Sequence, residues 1–238
     1  MRGVALDASE ARELAHLGPL ATECVTLPRS GKRYEITRPT DLDLLLDLVQ
    51  NDPEQNLPYW SEIWPSGIAL ADAILATPEV VRDREVLELG AGLGISAIAA
   101  LEAGARLIAT DYAVDALTLC RLNTVRNTGR APDLFRANWR VLEALDRCCR
   151  GGVPVVLATD VLYEARDVAP LLALLPRLIA PNGVFWLAEP GRPTAQTFLE
   201  ATEAAGWRRT TIRHDGPWPD PKDAGVVVHV HSLQKMTE

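Results

Sequence analysis

Three glycines and two carboxylates are the residues of this chain whose spacing could do chemistry. Gly90, Gly92 and Gly94 stand at alternate positions after the apolar run Val86-Leu87-Glu88-Leu89, and a helix-forming run opens at Ile95. Glycine tolerates positive φ and leaves no Cβ in a ligand's way, and a helix N-terminus presents free N–H groups to it. Asp111 follows Gly90 by 21 residues, at the end of the second apolar run 106–110. A doubly wound sheet places the acid that holds ribose hydroxyls there. Asp160 closes a third run, Pro154-Val-Val-Leu-Ala-Thr159. A nucleoside over the strand tips, faced by a second carboxylate, is the chemistry these positions describe. Taken alone, the glycines also suit a plain turn, and Asp160 could cap a helix starting near Ala165.

The spacing discriminates between nucleotides. A dinucleotide fingerprint needs its third glycine three residues after the second, where this chain has Ile95. That points away from nicotinamide.

The elements that must position these residues follow from periodicity and breakers. Residues 8–17 read as a short amphipathic helix, and residues 23–27 and 33–37 as a hairpin around Pro28-Arg-Ser-Gly-Lys32. Leu42 to Val49 reads as a helix ended by the polar stretch 51–56, which sets a boundary between an N-terminal cap, 1–56, and a core, 57–238. In the core, Ser66 is placed to cap a helix over 68–76, and residues 112–127 read as a covering helix. A short strand near Leu134 comes next, then the strand ending at Asp160. A turn at Pro181-Asn-Gly183 precedes the fifth strand, and two last strands lie in 206–213 and 225–233. The expectation is an α/β fold, doubly wound and mostly parallel, with an antiparallel edge and a small hairpin and helix cap.

Composition sets the outer limits. With 238 residues, 47% of them hydrophobic, the chain can bury a substantial core. A net charge of −8 argues against a non-specific nucleic-acid binder. Acids among the first ten residues and the lack of any run of about eighteen apolar residues point to the cytoplasm and away from a membrane. Cys24, Cys120, Cys148 and Cys149 lack a Cys-x-x-Cys spacing and read as reduced thiols. His229 and His231 alternate onto one face with no third ligand in view, so no metal is expected.

Glu88-Leu-Gly-Ala-Gly-Leu-Gly94 resembles the first motif of the class I, seven-β-strand methyltransferases that bind S-adenosylmethionine. The resemblance implies that Glu88, Gly90, Ala91, Gly92 and Gly94 hold the cofactor, with Asp111 on its ribose and Tyr112 beside its adenosine. Trp64, in the aromatic segment with Tyr59 and Trp60, is similar to the tryptophan lying against the cofactor in protein methyltransferases of this group. By composition alone it also fits a hydrophobic plug. Asn138-Trp139 resembles the pair bordering adenine, though a buried Trp139 would read the same. Thr159-Asp160-Val-Leu-Tyr163 resembles the Asp-x-x-Tyr motif of a lysine methyltransferase subgroup, and Glu189-Pro-Gly-Arg-Pro193 resembles the Asp-Pro-Gly-Arg-Pro loop of the branch acting on the electron-transfer flavoprotein β subunit, with Glu in place of Asp. The implied activity is methyl transfer to a lysine of a protein substrate, with Asp160 and Tyr163 at the reacting end, Asp160 also at the cofactor's methionine end, and Trp60 and Thr159 among the residues holding the cofactor. A small-molecule N-methyltransferase, or a cofactor-binding regulatory protein without turnover, would use the same core. Arg29, Lys32 and Arg33 in the hairpin turn fit either docking to an acidic protein or a solvated turn.

Overall fold

The computed structural model describes residues 12–50, 52, 54, 56–141, 145, 149 and 151–235. Apolar runs too short for helices and bounded by glycine or acid become strands buried on both faces, apart from the short exposed edge strand over 133–136, and they set the architecture. These are β3 (Glu85–Leu89), β4 (Arg106–Asp111), β5 (Asp133–Arg136), β6 (Val153–Thr159) and β7 (Ile179–Glu189), joined in one sheet by β8 (Trp207–His214) and β9 (Val228–Lys235). The sheet order is β5-β4-β3-β6-β7-β9-β8. All pairings from β5 to β7 are parallel, and β9 runs antiparallel to both neighbours. The reversed strand therefore sits one place in from the edge, and β8 is the edge itself. The outward residues of β8 are largely Arg and Thr, which blunts an unpaired edge.

Period-two alternation sorts each strand's side chains into two cores. Val155 and Leu157 join the cluster under α2 (Pro65–Ala76), α3 (Ile95–Glu102) and α4 (Val114–Thr128). Val156 and Ala158 join the opposite cluster, under α5 (Val168–Leu178) and α6 (Pro193–Ala204). The hairpin of β1 (Leu20–Thr26) and β2 (Arg33–Pro39) is a separate antiparallel sheet followed by α1 (Leu42–Val49), whose first turn is capped by Asp41. Val25, Tyr34, Ile36 and Leu45 nevertheless belong to the same cluster as α2 and α3, so this N-terminal part and the core share one hydrophobic interior.

Three local expectations change. Pro65 at the first helical position starts α2 earlier than Ser66 would, and the Ser66 hydroxyl turns toward Asp160 instead of capping. The Pro181-Asn-Gly183 turn is absorbed into β7, with Asn182 at φ 61° and a register shift opposite Val153 and Val155. Two steps on β6, from Val153 to Val155, face five on β7, from Ile179 to Val184, so three extra residues are taken up as an irregular bulge without ending the ladder. Near the N-terminus Ala15–Leu17 form a 3-10 turn; residues 8–11 of the expected helix, like Cys148, fall outside the described residues. The basic hairpin turn is anchored to the fold: Arg29 and Ser30 donate backbone N–H groups to the Asp72 carboxylate at 2.8 and 2.9 Å, and Lys32 pairs with Glu102. No helix among the described residues is long and apolar enough to cross a membrane.

Candidate active site

β3 connects outward to β4 and β5, whereas β6 and β7 wind the other way, so the chain reverses between β3 and β6. Ligands of open α/β sheets bind above the carboxyl ends of the strands at such a point. A cavity of ≈ 620 Å³ opens there, within the range that holds a cofactor-sized ligand.

Its floor is the glycine loop. Gly90, Gly92 and Gly94 have φ of 67°, 50° and 82°. At Gly90 a Cβ would lie 3.2 Å from both Trp139 Cζ3 and Val161 Cγ1, and at Gly94 only 2.8 Å from Cys120 Sγ. The turn thus needs both the positive φ and the absence of a side chain. Ala91 N–H donates to Thr110 C=O at 2.9 Å, tying the loop to β4. Asp111 accepts N–H bonds from Gly92 and Ala113, each at 3.0 Å. Burial nevertheless pushes its carboxyl up to about 6, with those N–H groups pulling the other way. A carboxylate braced on backbone, with lone pairs to spare, suits a vicinal diol.

Asp160, at the tip of β6, is a non-glycine residue at φ 55°, a conformation Asp tolerates better than most. Its backbone N–H donates to Ala188 C=O at 2.9 Å, which holds the turn in place. The carboxylate accepts from Arg192 Nε at 2.7 Å and from the Ser66 hydroxyl at 3.4 Å. Three rings form the rim beside it. Tyr59 meets Trp64 edge-on at 6.1 Å between centroids and Tyr163 edge-on at 5.4 Å. Trp64 Nε1–H donates to Tyr59 C=O at 2.8 Å, fixing the indole. Burial pushes the Tyr163 phenol up to about 12, so it remains protonated.

The cavity is lined by twelve of the fourteen residues singled out from the sequence: Trp60, Trp64, Gly90, Ala91, Gly92, Gly94, and across from them Asp111, Tyr112, Trp139, Thr159, Asp160 and Tyr163. Glu88 and Asn138 are not among the lining residues. Glu88 is fully buried beneath the loop, where it accepts from the Ser96 hydroxyl and burial pushes it up to about 7. Being four residues before Gly92 on an inward-facing strand position, it braces the start of α3 through Ser96. Asn138 donates to Glu54 Oε2 at 2.7 Å, the same oxygen that accepts from Arg140 Nη1 at 3.0 Å. Arg140 also holds the buried Asp167 through Nε at 2.7 Å. This polar cluster clips the segment preceding Leu57 beside the cavity wall.

Arg192 was not singled out as a site residue. Its signal lay in the Glu189-to-Pro193 loop, but only the fold shows that this loop returns over β6. His231 is buried with Nδ1 against the Thr211 hydroxyl at 2.9 Å and Nε2 on Glu189 Oε1 at 3.1 Å. Among the described residues no group of three His, Cys, Asp or Glu is arranged to hold a metal ion.

A seven-stranded sheet of this order and winding, with a glycine loop and a buried acid ending the next strand at its switch point, is that of a class I methyltransferase. The 16S rRNA N2 G1207 methyltransferase of T. thermophilus, solved with S-adenosylmethionine and guanosine, shares the fold with a TM-score of 0.61 over 91% of this chain and 51% of that one, at 17% identity. Residues 47–205 match the lysine methyltransferase family, and the chain belongs to it. The electron transfer flavoprotein beta subunit lysine methyltransferase of Xenopus laevis is 34% identical over 137 residues, 57% of this chain and 53% of that protein. The X. laevis histone-arginine methyltransferase METTL23 is 28% identical over 163 residues, 66% of this chain and 69% of that protein. The chain thus spans about half the length of the first of these relatives.

Proposed function

We propose that this protein transfers methyl groups from S-adenosylmethionine to the side-chain nitrogen of a lysine in a protein substrate. The observation that carries the reading is the single cavity joining a ribose-side acid, Asp111, to a second carboxylate, Asp160, under an aromatic rim. The residues fit the cofactor. A Cβ at Gly90 would occupy the floor of the cradle, and the buried Asp111 carboxylate keeps acceptor capacity for ribose hydroxyls. Asp111, Gly92 and the loop N–H groups would hold the nucleoside, and Trp64 would lie on the sulfonium side as a cation–π face. The cofactor supplies an electrophilic methyl group on sulfur.

The acceptor must arrive in line and with a free lone pair. A lysine amine of ordinary pKa is neutral in only about 4 of 10,000 molecules at pH 7, a deficit of roughly 4.6 kcal/mol. Desolvation behind Tyr59, Tyr163 and Trp64 lowers that deficit, because burial disfavours the charged amine. Asp160 orients the nitrogen, and Tyr163 forms the wall past which an unbranched aliphatic chain can slide. The names of the relatives support a nitrogen acceptor on protein, lysine in one and arginine in the other.

The test is labelling with tritiated S-adenosylmethionine of a lysate lacking this protein, with wild type and Asp160→Ala added in parallel. Counts in a protein band, mapped by mass spectrometry to a lysine and absent with Asp160→Ala, are the expected result. Counts confined to the small-molecule fraction would replace the reading with a metabolite N-methyltransferase.

A further inference from the structure

The order of the strands also orders the site. Asp111 ends β4, the glycine loop leaves β3, Asp160 ends β6, and Arg192 follows β7. Arg192 therefore lies on the side away from the ribose, where the acceptor must enter. There it already occupies Asp160, Nε to Oδ1 at 2.7 Å. It is also the one lining residue shared by the main cavity and a smaller cleft of ≈ 310 Å³ behind the loop, among the described residues.

The loop is held by more than that ion pair. Glu189 Oε2 accepts the backbone N–H of Gly191 at 2.6 Å and of Arg192 at 2.8 Å, while Oε1 meets His231 Nε2 at 3.1 Å. Burial alone would push the Glu189 carboxyl up, but these donors outweigh it and hold it below the usual range, so it stays ionised near neutrality. A charged, buried anchor fixes the backbone from which the guanidinium reaches across to Asp160.

The consequence concerns the charge of the acceptor. An unpaired carboxylate would stabilise an incoming ammonium ion, the form that cannot attack the methyl group. A guanidinium is charged at every working pH and repels that ion. Resting on the methyl-transfer reading above, we propose that Arg192 is the positioning residue of the acceptor end: it neutralises Asp160, so that the amine reaching this carboxylate binds as the neutral base and not as ammonium. The other charged groups of the two cavities are already matched. Glu62 pairs with Arg38 and Lys222, and Glu164 with Arg166. On the cleft side Arg209 pairs with Glu203, and His229 and His231 face Glu189. Asp111 is braced by backbone N–H groups, and the phenols of Tyr59 and Tyr163 complete the rim. The Asp160–Arg192 pair is left to set the field where the amine arrives.

The test needs no knowledge of the natural substrate. The protein is saturated with S-adenosylhomocysteine, and n-butylamine, a lysine side chain without its backbone, is titrated in by ligand-observed NMR from pH 7 to 9.5. For wild type and Arg192→Lys the apparent affinity should rise about tenfold per pH unit, as the neutral amine becomes available. For Arg192→Gln the affinity at pH 7 should rise about tenfold and the pH dependence flatten, because ammonium now binds Asp160 directly. Glu189→Gln, which loosens the loop but keeps the guanidinium, should flatten the slope partially and serves if Arg192→Gln does not fold. A wild-type slope in both variants overturns the proposal. So does a tenfold loss of S-adenosylhomocysteine affinity in Arg192→Gln, which would put the guanidinium on the cofactor. If wild type itself does not bind S-adenosylhomocysteine, the methyl-transfer reading falls; binding with an unchanged slope removes only the role of Arg192.

Discussion

The two ends of the cavity are built by different means. At the end proposed to hold the ribose, Asp111 is buried and braced by backbone N–H groups of Gly92 and Ala113, and the loop beneath it is held in positive φ by three glycines. At the end proposed to receive the acceptor, Asp160 is braced by side chains, Arg192 and Ser66, carried on elements far apart in the chain. The rim there is three rings packed edge to edge. A backbone-built subsite has one shape and tolerates little change. A side-chain-built one can be altered residue by residue, so one core can serve different acceptors.

The largest effect that would sharpen this contrast is at the acceptor end. Asp160→Ala should lower turnover at least about 100-fold while changing S-adenosylhomocysteine affinity by less than about tenfold, read by radiometric assay and calorimetry. Equal losses in both would erase the division between the ends.

Next comes the glycine loop. Gly94→Ala places a Cβ at φ 82° against Cys120 Sγ, with no room to relax. It should cost about 3 kcal/mol of stability, a fall in Tm of roughly 6–10 °C by calorimetry. An unchanged Tm would show that the loop is less rigid than its geometry says.

The acid proposed to hold the ribose, Asp111, gives a pH signature. Because burial raises Asp111 to about 6, it loses its charge as pH falls through that value, and a neutral carboxyl is the weaker acceptor for ribose hydroxyls. S-adenosylhomocysteine should therefore bind progressively more weakly from pH 7 to pH 5, with the midpoint near 6, and binding below the midpoint should release a proton. Asp111→Asn should bind about tenfold more weakly at pH 7 and lose this dependence. If the dependence survives in Asp111→Asn, the buried Glu88 is the titrating group.

The smallest effect separates ring from hydroxyl at the rim. Tyr163→Phe keeps the edge-on packing with Tyr59 and should change kcat/KM by less than about threefold, whereas Tyr163→Ala should cost tenfold or more. A large loss in Tyr163→Phe would assign the phenol a direct part in the chemistry.

Legibility in the sequence follows the same division. The glycine loop, Asp111 and the strand ending in Asp160 could be read because each depends on neighbours in sequence: a strand, a break into glycine, a helix, then an acid at fixed distance. Glu88 and Asn138 were legible as motif members, yet their side chains go elsewhere. Glu88 alternates inward onto Ser96, and Asn138 is drawn to Glu54, 84 residues away. Arg192 and Ser66 were missed as partners of Asp160 because their separations of 32 and 94 residues leave no local pattern.

What this sequence determined unaided is the alternation of apolar strands with covering helices and the glycine break, since period, backbone freedom and burial are local properties of the chain. Which charges meet was decided only by the tertiary structure. The partners of Asp160 come from α2 and from the loop after β7, and only the winding of the sheet in opposite directions from β3 and β6 brings them to one carboxylate.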